Sequence, residues 1–212
     1  MRIIKPSVEF MHHVDGQAIM QLLEACGRVC YKSEDRIGDG TAESFLRGII
    51  KRGHEAVLEH AKVTVKFTVD RGVSHEIVRH RMASYCQEST RYCNYSGDKF
   101  GGEITVIEPF YLKSFTEEYQ YWKEACLTAE RRYFEMLNAD CSPQEARAVL
   151  PNSLKTELVM TANIREWRHF LRLRCAPGAH PQMREVALPL LQMFYDVLPV
   201  LFEDVYAEVH PE

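Results

Sequence analysis

No apolar run in this chain approaches the roughly 20 residues that a membrane-spanning helix needs. The first ten residues carry Arg2, Lys5 and Glu9 and lack the apolar core and small-residue cleavage site of a secretory signal. Low-complexity tracts, repeats and linker-like stretches are also missing. There is no excess of positive charge, since the net charge is −4, which argues against general affinity for nucleic acid or a membrane surface. The seven cysteines are odd in number and never occur as C-x-x-C. Neither a disulfide framework nor a zinc ribbon is therefore indicated. These absences describe a reduced, cytoplasmic protein.

What is present is enough apolar material for a core. Of the 212 residues, 46% are apolar, so the chain reads as globular, with residues 1–212 forming a single domain. After a short N-terminal strand, Gln17 to Val29 reads as a helix with Ile19, Leu22, Leu23 and Cys26 on its buried face. Thr41 to Arg52 follows as a second helix stopped by Gly53. Lys62 to Asp70 alternates, with Val63, Val65, Phe67 and Val69 inward, as a half-buried antiparallel strand does. Helical spacing returns over Arg71 to Ala83, and a turn-rich loop with Asn94, Gly97 and Gly101 comes next. Phe115 to Leu137 is a long helix. Ser142 to Val149 is a short one, with Ser142 as N-cap and Pro143 in the first turn. Lys155 to Ile164 is a second strand, and Glu166 to Arg174 and Pro181 to Val205 are helices. The expected class is α+β, a small antiparallel sheet packed with helices.

The stretch from Arg79 to Tyr92 concentrates the chemistry. Taken alone, Arg79-His80-Arg81 reads as a solvated helix face. But residues two apart leave a helix in different directions, and Ser84, Ser89, Thr90 and Arg91 add short donors suited to phosphate or carbonyl oxygens. That combination fits a small ligand with several anionic or carbonyl groups. In the last part of the chain, Ile164, Trp167 and Leu171 mark a buried helix face, and Arg174, three residues on, points to the same side. Arg165, Arg168 and Arg172 point elsewhere. A guanidinium on an apolar face is costly unless an anion or carbonyl satisfies it.

Arg79-His80-Arg81, then seven residues, then Ser89 resembles the signature of the flavin-dependent thymidylate synthases. Further pieces lie in the family's order: Arg28-Val29-Cys30, Gly53-His54-Glu55 with Glu59-His60, Ala146-Arg147 with Leu150-Pro151, and Asn163-x-Arg165 continuing to Leu173-Arg174. The resemblance spans about Arg28 to Gln182. It implies an FAD enzyme that methylates dUMP to dTMP reductively, with methylenetetrahydrofolate as carbon donor and NADPH as reductant, working as a homotetramer. It also implies roles. Arg174 binds dUMP and activates the uracil. His54, Arg79, His80, Arg81, Gln87, Asn163, Arg165 and His169 contact FAD. Glu76, Arg79, Gln87, Glu88, Ser89, Thr90, Arg91 and Arg147 join Arg174 around dUMP. Ser89 has no His-Asp relay beside it in the sequence and reads as a binding group, not a nucleophile.

This chain departs from the family pattern in places. Gln87 stands where many members have glutamate, Cys86 where asparagine is common, and Ala56 where a hydroxyl residue contacts FAD. Cys86 and Cys93 lie near basic residues, which can depress a thiol pKa, yet they read as packing or loop thiols. Two other classes compete. A nucleotide- or RNA-binding module would use Arg81, Arg91, Tyr85 and Tyr92, but needs a broad basic face. A metal hydrolase would use His54, His60, His75 and His80, whose spacing fits no H-E-x-x-H helix.

Overall fold

The computed structural model describes residues 1–211; Glu212, the last residue of the expected domain, lies outside the described residues. Two strands dominate the layout because their residues alternate. In β3 (Lys62–Asp70), Val63, Val65, Phe67 and Val69 are buried. In β6 (Lys155–Asn163), Thr156, Leu158, Met160 and Ala162 are buried. With β2 (Ser7–Phe10) and β4 (Ala83–Gln87) they form an antiparallel sheet of order β2-β3-β6-β4. The strand β1 (Arg2–Ile4) pairs in parallel with β5 (Thr105–Ile107). A small antiparallel sheet with helices is the α+β class expected.

The chain divides into two compact units whose segments alternate along the sequence. One comprises residues 1–7, 67–79 and 86–158. It contains α3 (Arg71–Ile77), α4 (Glu117–Asn138) and α5 (Pro143–Ala146). Its core gathers Tyr95, Ile104, Val106, Cys126, Tyr133, Ala146 and Leu154. Ser142 and Glu145 form the capping box that starts α5. The other unit comprises residues 8–66, 80–85 and, among the described residues, 159–211. It contains α1 (Gly16–Tyr31), α2 (Thr41–Lys51), α6 (Ile164–Cys175), α7 (Pro181–Val197) and α8 (Pro199–Val209). Here α6 packs on α7 and α8, and α1 on α2. Trp167, Phe194 and Phe202 form a run of ring contacts through the centre.

Both long strands end on a capping side chain that turns the backbone directly into a helix. Asp70 accepts from the Val73 amide at 2.7 Å to start α3, and Asn163 accepts from the Glu166 amide at 2.8 Å to start α6. Each helix then carries an arginine and a histidine at i and i+4: Arg71 and His75 on α3, Arg165 and His169 on α6.

Four expectations need correction. The helix expected through Ala83 stops at Ile77, and residues 83–87 form β4; a five-residue strand of Ala, Ser, Tyr, Cys and Gln carries too little hydrophobic alternation to announce itself. Leu22 is exposed, and α1 buries Leu23, Glu24 and Gly27 instead. Glu24 is tolerated inside because Arg28 and Thr41 donate to its carboxylate at 2.8 and 3.0 Å. Arg168, expected to point away from the buried face of its helix, is itself buried: it is 1% exposed, held bidentately by Asp204 at 2.6 and 2.8 Å and by the Leu201 carbonyl. The expected single C-terminal helix breaks at Leu198, where Pro199 opens α8.

Candidate active site

The Arg79-His80-Arg81 triplet sits on no helix. Arg79 lies in the turn that closes α3, its amide donating to the Glu76 carbonyl at 3.3 Å, and His80 and Arg81 follow in the irregular segment before β4. Arg79 and Arg81 are exposed, while His80 is 4% exposed. Neither arginine makes a side-chain hydrogen bond or ion pair among the described residues.

His80 belongs to the unit that carries α6, and its ring is fully engaged there. Its Nδ1 lies 2.9 Å from Glu166 Oε1, and its Nε2 lies 3.1 Å from Arg174 Nε. The ring packs on Phe170, with centroids 4.7 Å apart, and faces His169 at 5.5 Å. Burial holds the imidazole below its ordinary pKa of 6.5; the Glu166 hydrogen bond opposes this, and the Arg174 charge adds to the lowering. Tyr85 donates its hydroxyl to the His80 carbonyl, and burial pushes its phenol up to about 12. The Tyr85 hydroxyl is thus committed locally.

Beside this cluster lies a cleft of about 360 Å³ lined by Glu55, Glu59, Met82, Asn163, Arg165, Glu166, His169 and Arg172. Arg165 bridges Glu59 at 2.6 Å and Glu55 at 3.6 Å. His54 lies in the same unit, exposed, with Nδ1 2.8 Å from the Tyr31 hydroxyl.

The other unit holds a second cleft, about 440 Å³, lined by Arg71, His75, Thr90, Arg147, Ala148, Leu150, Pro151, Asn152 and Leu154. Arg147 donates to the Thr90 hydroxyl at 3.3 Å. Ser89 is folded back on its own turn: its hydroxyl accepts from the Arg91 amide at 3.3 Å, and its carbonyl accepts from the Cys93 amide at 2.9 Å. Arg91 is exposed, its guanidinium over the Tyr92 ring at 5.4 Å. Gln87 donates to Ser74 and Thr156 hydroxyls at 3.0 and 3.3 Å. Glu76 is half-buried on α3.

The expected flavin and nucleotide residues therefore sort between the units. His54, His80, Arg81, Asn163, Arg165, His169 and Arg174 lie in one; Glu76, Arg79, Gln87, Glu88, Ser89, Thr90, Arg91 and Arg147 lie in the other. Sequence reasoning passed over Arg71 and Glu166, and weighed His75 only as a metal ligand. The i, i+4 spacing of Arg71 and His75 after the Asp70 cap was a usable signal, since it repeats that of Arg165 and His169 after Asn163. For Glu166, the sign was its place three residues beyond that cap.

Among the described residues, the one close group of metal-ligand types is His80, Glu166 and His169. Both His80 nitrogens are already spent on Glu166 and Arg174, and the adjacent guanidinium opposes a cation. His54, His60 and His75 take no part in it. No described helix is long and apolar enough to cross a membrane.

Residues 13–200 match the family described as "Thymidylate synthase complementing protein". The chain is also 36% identical to a flavin-dependent thymidylate synthase of Mycolicibacterium vanbaalenii, covering 94% of this chain and 84% of the relative. It is 32% identical to one from Geobacter sulfurreducens, covering 91% and 83%. A third, from Pyrococcus furiosus, is 34% identical over 85% of this chain and 75% of its own length.

Proposed function

Since this chain belongs to the flavin-dependent thymidylate synthase family, we propose that its two clusters serve the reductive methylation of dUMP to dTMP. It is an FAD-dependent thymidylate synthase. In this reading methylenetetrahydrofolate gives the carbon and NADPH the reducing equivalents. The whole chain acts as one functional domain, in a homotetramer in the cytoplasm, with no nucleic-acid or membrane partner.

One observation carries the assignment of the binding groups. Arg79, Arg81, Arg91 and Arg147 make no ion pair among the described residues, whereas Arg28, Arg47, Arg165, Arg168 and Arg172 are matched to carboxylates. Unmatched guanidinium groups, of which Arg147 lines the second cleft, suit phosphate and carbonyl oxygens.

The residues present fit FAD. Arg81, Arg165, His169 and His54 supply donors for pyrophosphate and ring carbonyls, and Asn163 stands at the start of α6. Bound phosphate would take Arg165 from Glu59, an exposed pair that is easily exchanged. FAD, when bound, carries hydride between NADPH and the transferred one-carbon unit. Arg79 and Gln87 join these FAD contacts and also reach the nucleotide. Thr90, Arg147, Ser89, Arg91, Glu76 and Glu88 hold dUMP, with backbone amides of the loop contributing to phosphate binding. Arg174 places a fixed cation where negative charge develops on the uracil, stabilising it without reorganisation.

The test is tritium release from ring-labelled dUMP with NADPH, FAD and methylenetetrahydrofolate. Wild type releases tritium, and Arg174→Ala loses on the order of 10²- to 10³-fold in kcat. A folded, FAD-loaded wild type that releases none would sink the reading.

A further inference from the structure

Arginine has no hydrogen-bond acceptor, so the 3.1 Å contact between Arg174 Nε and His80 Nε2 makes Nε2 an unprotonated acceptor. The ring's proton then sits on Nδ1, aimed at Glu166 Oε1 2.9 Å away. A carboxylate behind an imidazole fixes its tautomer and its ring plane. Phe170 closes one side of the ring, and the His80 carbonyl is pinned by Tyr85.

We propose that Glu166 and His80 form a positioning relay in which neutral, Nδ1-protonated His80 fixes the orientation of the Arg174 guanidinium. The proposal rests on the role given to Arg174 above, and neither Glu166 nor His80 touches the uracil in it. Its consequence is a built-in incompatibility. When His80 takes a second proton, Nε2–H faces the Arg174 N–H, two donors meet, and the hydrogen bond that aligns the guanidinium with the ring is lost. The groups facing His80 are Glu166, His169 and Arg174 from α6 and Tyr85 from β4. Only Glu166 favours the charged ring; Arg174 and His169 oppose it.

The experiment compares wild type, Arg174→Ala, Glu166→Ala, His80→Phe and His80→Gln at saturating FAD. It follows tritium release against pH, flavin absorbance per chain, and the 15N shifts of the His80 ring. Wild type shows the Nδ1–H tautomer at neutral pH and loses kcat only in more acidic solution, as pH falls through the His80 pKa that burial holds below the ordinary imidazole value. Glu166→Ala and His80→Phe lose on the order of 10- to 100-fold in kcat, the cost of a misplaced group, and Glu166→Ala keeps its flavin. His80→Gln, which returns an acceptor near the Nε2 position, recovers most of the rate and lacks the acid limb. An Nε2–H or charged His80 at neutral pH overturns the relay, as does Glu166→Ala with wild-type kcat and pH profile. Full activity in Arg174→Ala would instead remove the role assumed for Arg174, while the ring tautomer still decides the geometry.

Discussion

The Lys155 ammonium lies 2.8 Å from one carboxylate oxygen of Glu88, whose other oxygen accepts from the Tyr95 hydroxyl at 3.2 Å. The two charged side chains are only 18% and 12% exposed; Lys155 is the cation that compensates Glu88, and it also reaches Glu157 at 3.3 Å. Glu88 is therefore tied down next to Gln87, and it does not swing across to replace the carboxylate that many family members carry at that neighbouring position.

Removing Lys155 leaves Glu88 poorly compensated in a mostly shielded place. Lys155→Ala is expected to lower stability by about 1–3 kcal/mol, the range for a lost hydrogen bond to a charged group. Lys155→Arg keeps the charge and recovers part of it. Urea unfolding reads this directly, and an unchanged midpoint in Lys155→Ala contradicts it.

A second pair fixes an acid dependence. Burial alone would raise the Asp204 carboxyl, but the hydrogen bond and charge of Arg168, with Arg172, outweigh it and hold the group below 3.8. A depressed carboxyl stabilises the fold fully above that ordinary value, and the contribution fades as pH falls through the folded one. Asp204→Asn strands a buried guanidinium and should cost toward the lower end of about 3–5 kcal/mol at neutral pH, since Asp204 is itself partly exposed. The gap from wild type should narrow in acid. A gap that stays constant down to pH 2 would show that Asp204 is not the group responsible.

Neither thiol near the basic loop is needed for chemistry in this reading. Cys86 is exposed on β4 and Cys93 is half-buried, both as free cysteines. Alanine at either position should leave measurable dTMP formation. Complete loss in a protein that still folds and binds FAD argues for a thiolate nucleophile.

Gly16 opens α1 against the end of α7. A Cβ there would stand 2.0 Å from the Val197 carbonyl oxygen, a collision with backbone and not with a flexible side chain. Gly16→Ala is expected to destabilise by about 1–3 kcal/mol. Gly178→Ala, into open space, should stay within about 0.5 kcal/mol. Equal melting temperatures for the two variants would refute the clash.

Where periodicity was strong, the sequence was readable. The alternation of Val63, Val65, Phe67 and Val69 specifies β3, and Ile164, Trp167 and Leu171 specify the buried face of α6. Ser142 and Pro143 mark the start of α5. Weak or mixed patterns failed: β4 has no apolar alternation, and Leu22 is apolar yet turned outward. Arg168 misled for the opposite reason. A charged residue reads as surface until a carboxylate from a distant helix is brought to it.

Local order in the chain, read by itself, determined most of the element types, the Ser142 cap, and the cluster of cations from Arg79 to Arg91. These depend on neighbours a few residues apart, whose geometry the backbone period sets. What tertiary structure decided was the partner of each charged group. Glu166 and Arg174 reach His80 from 86 and 94 residues away, and Lys155 reaches Glu88 from 67. Hydrogen bonds and desolvation act through space over a few ångströms, so which cation is matched, which is left for a ligand, and which nitrogen of His80 holds the proton are settled only once the chain has folded.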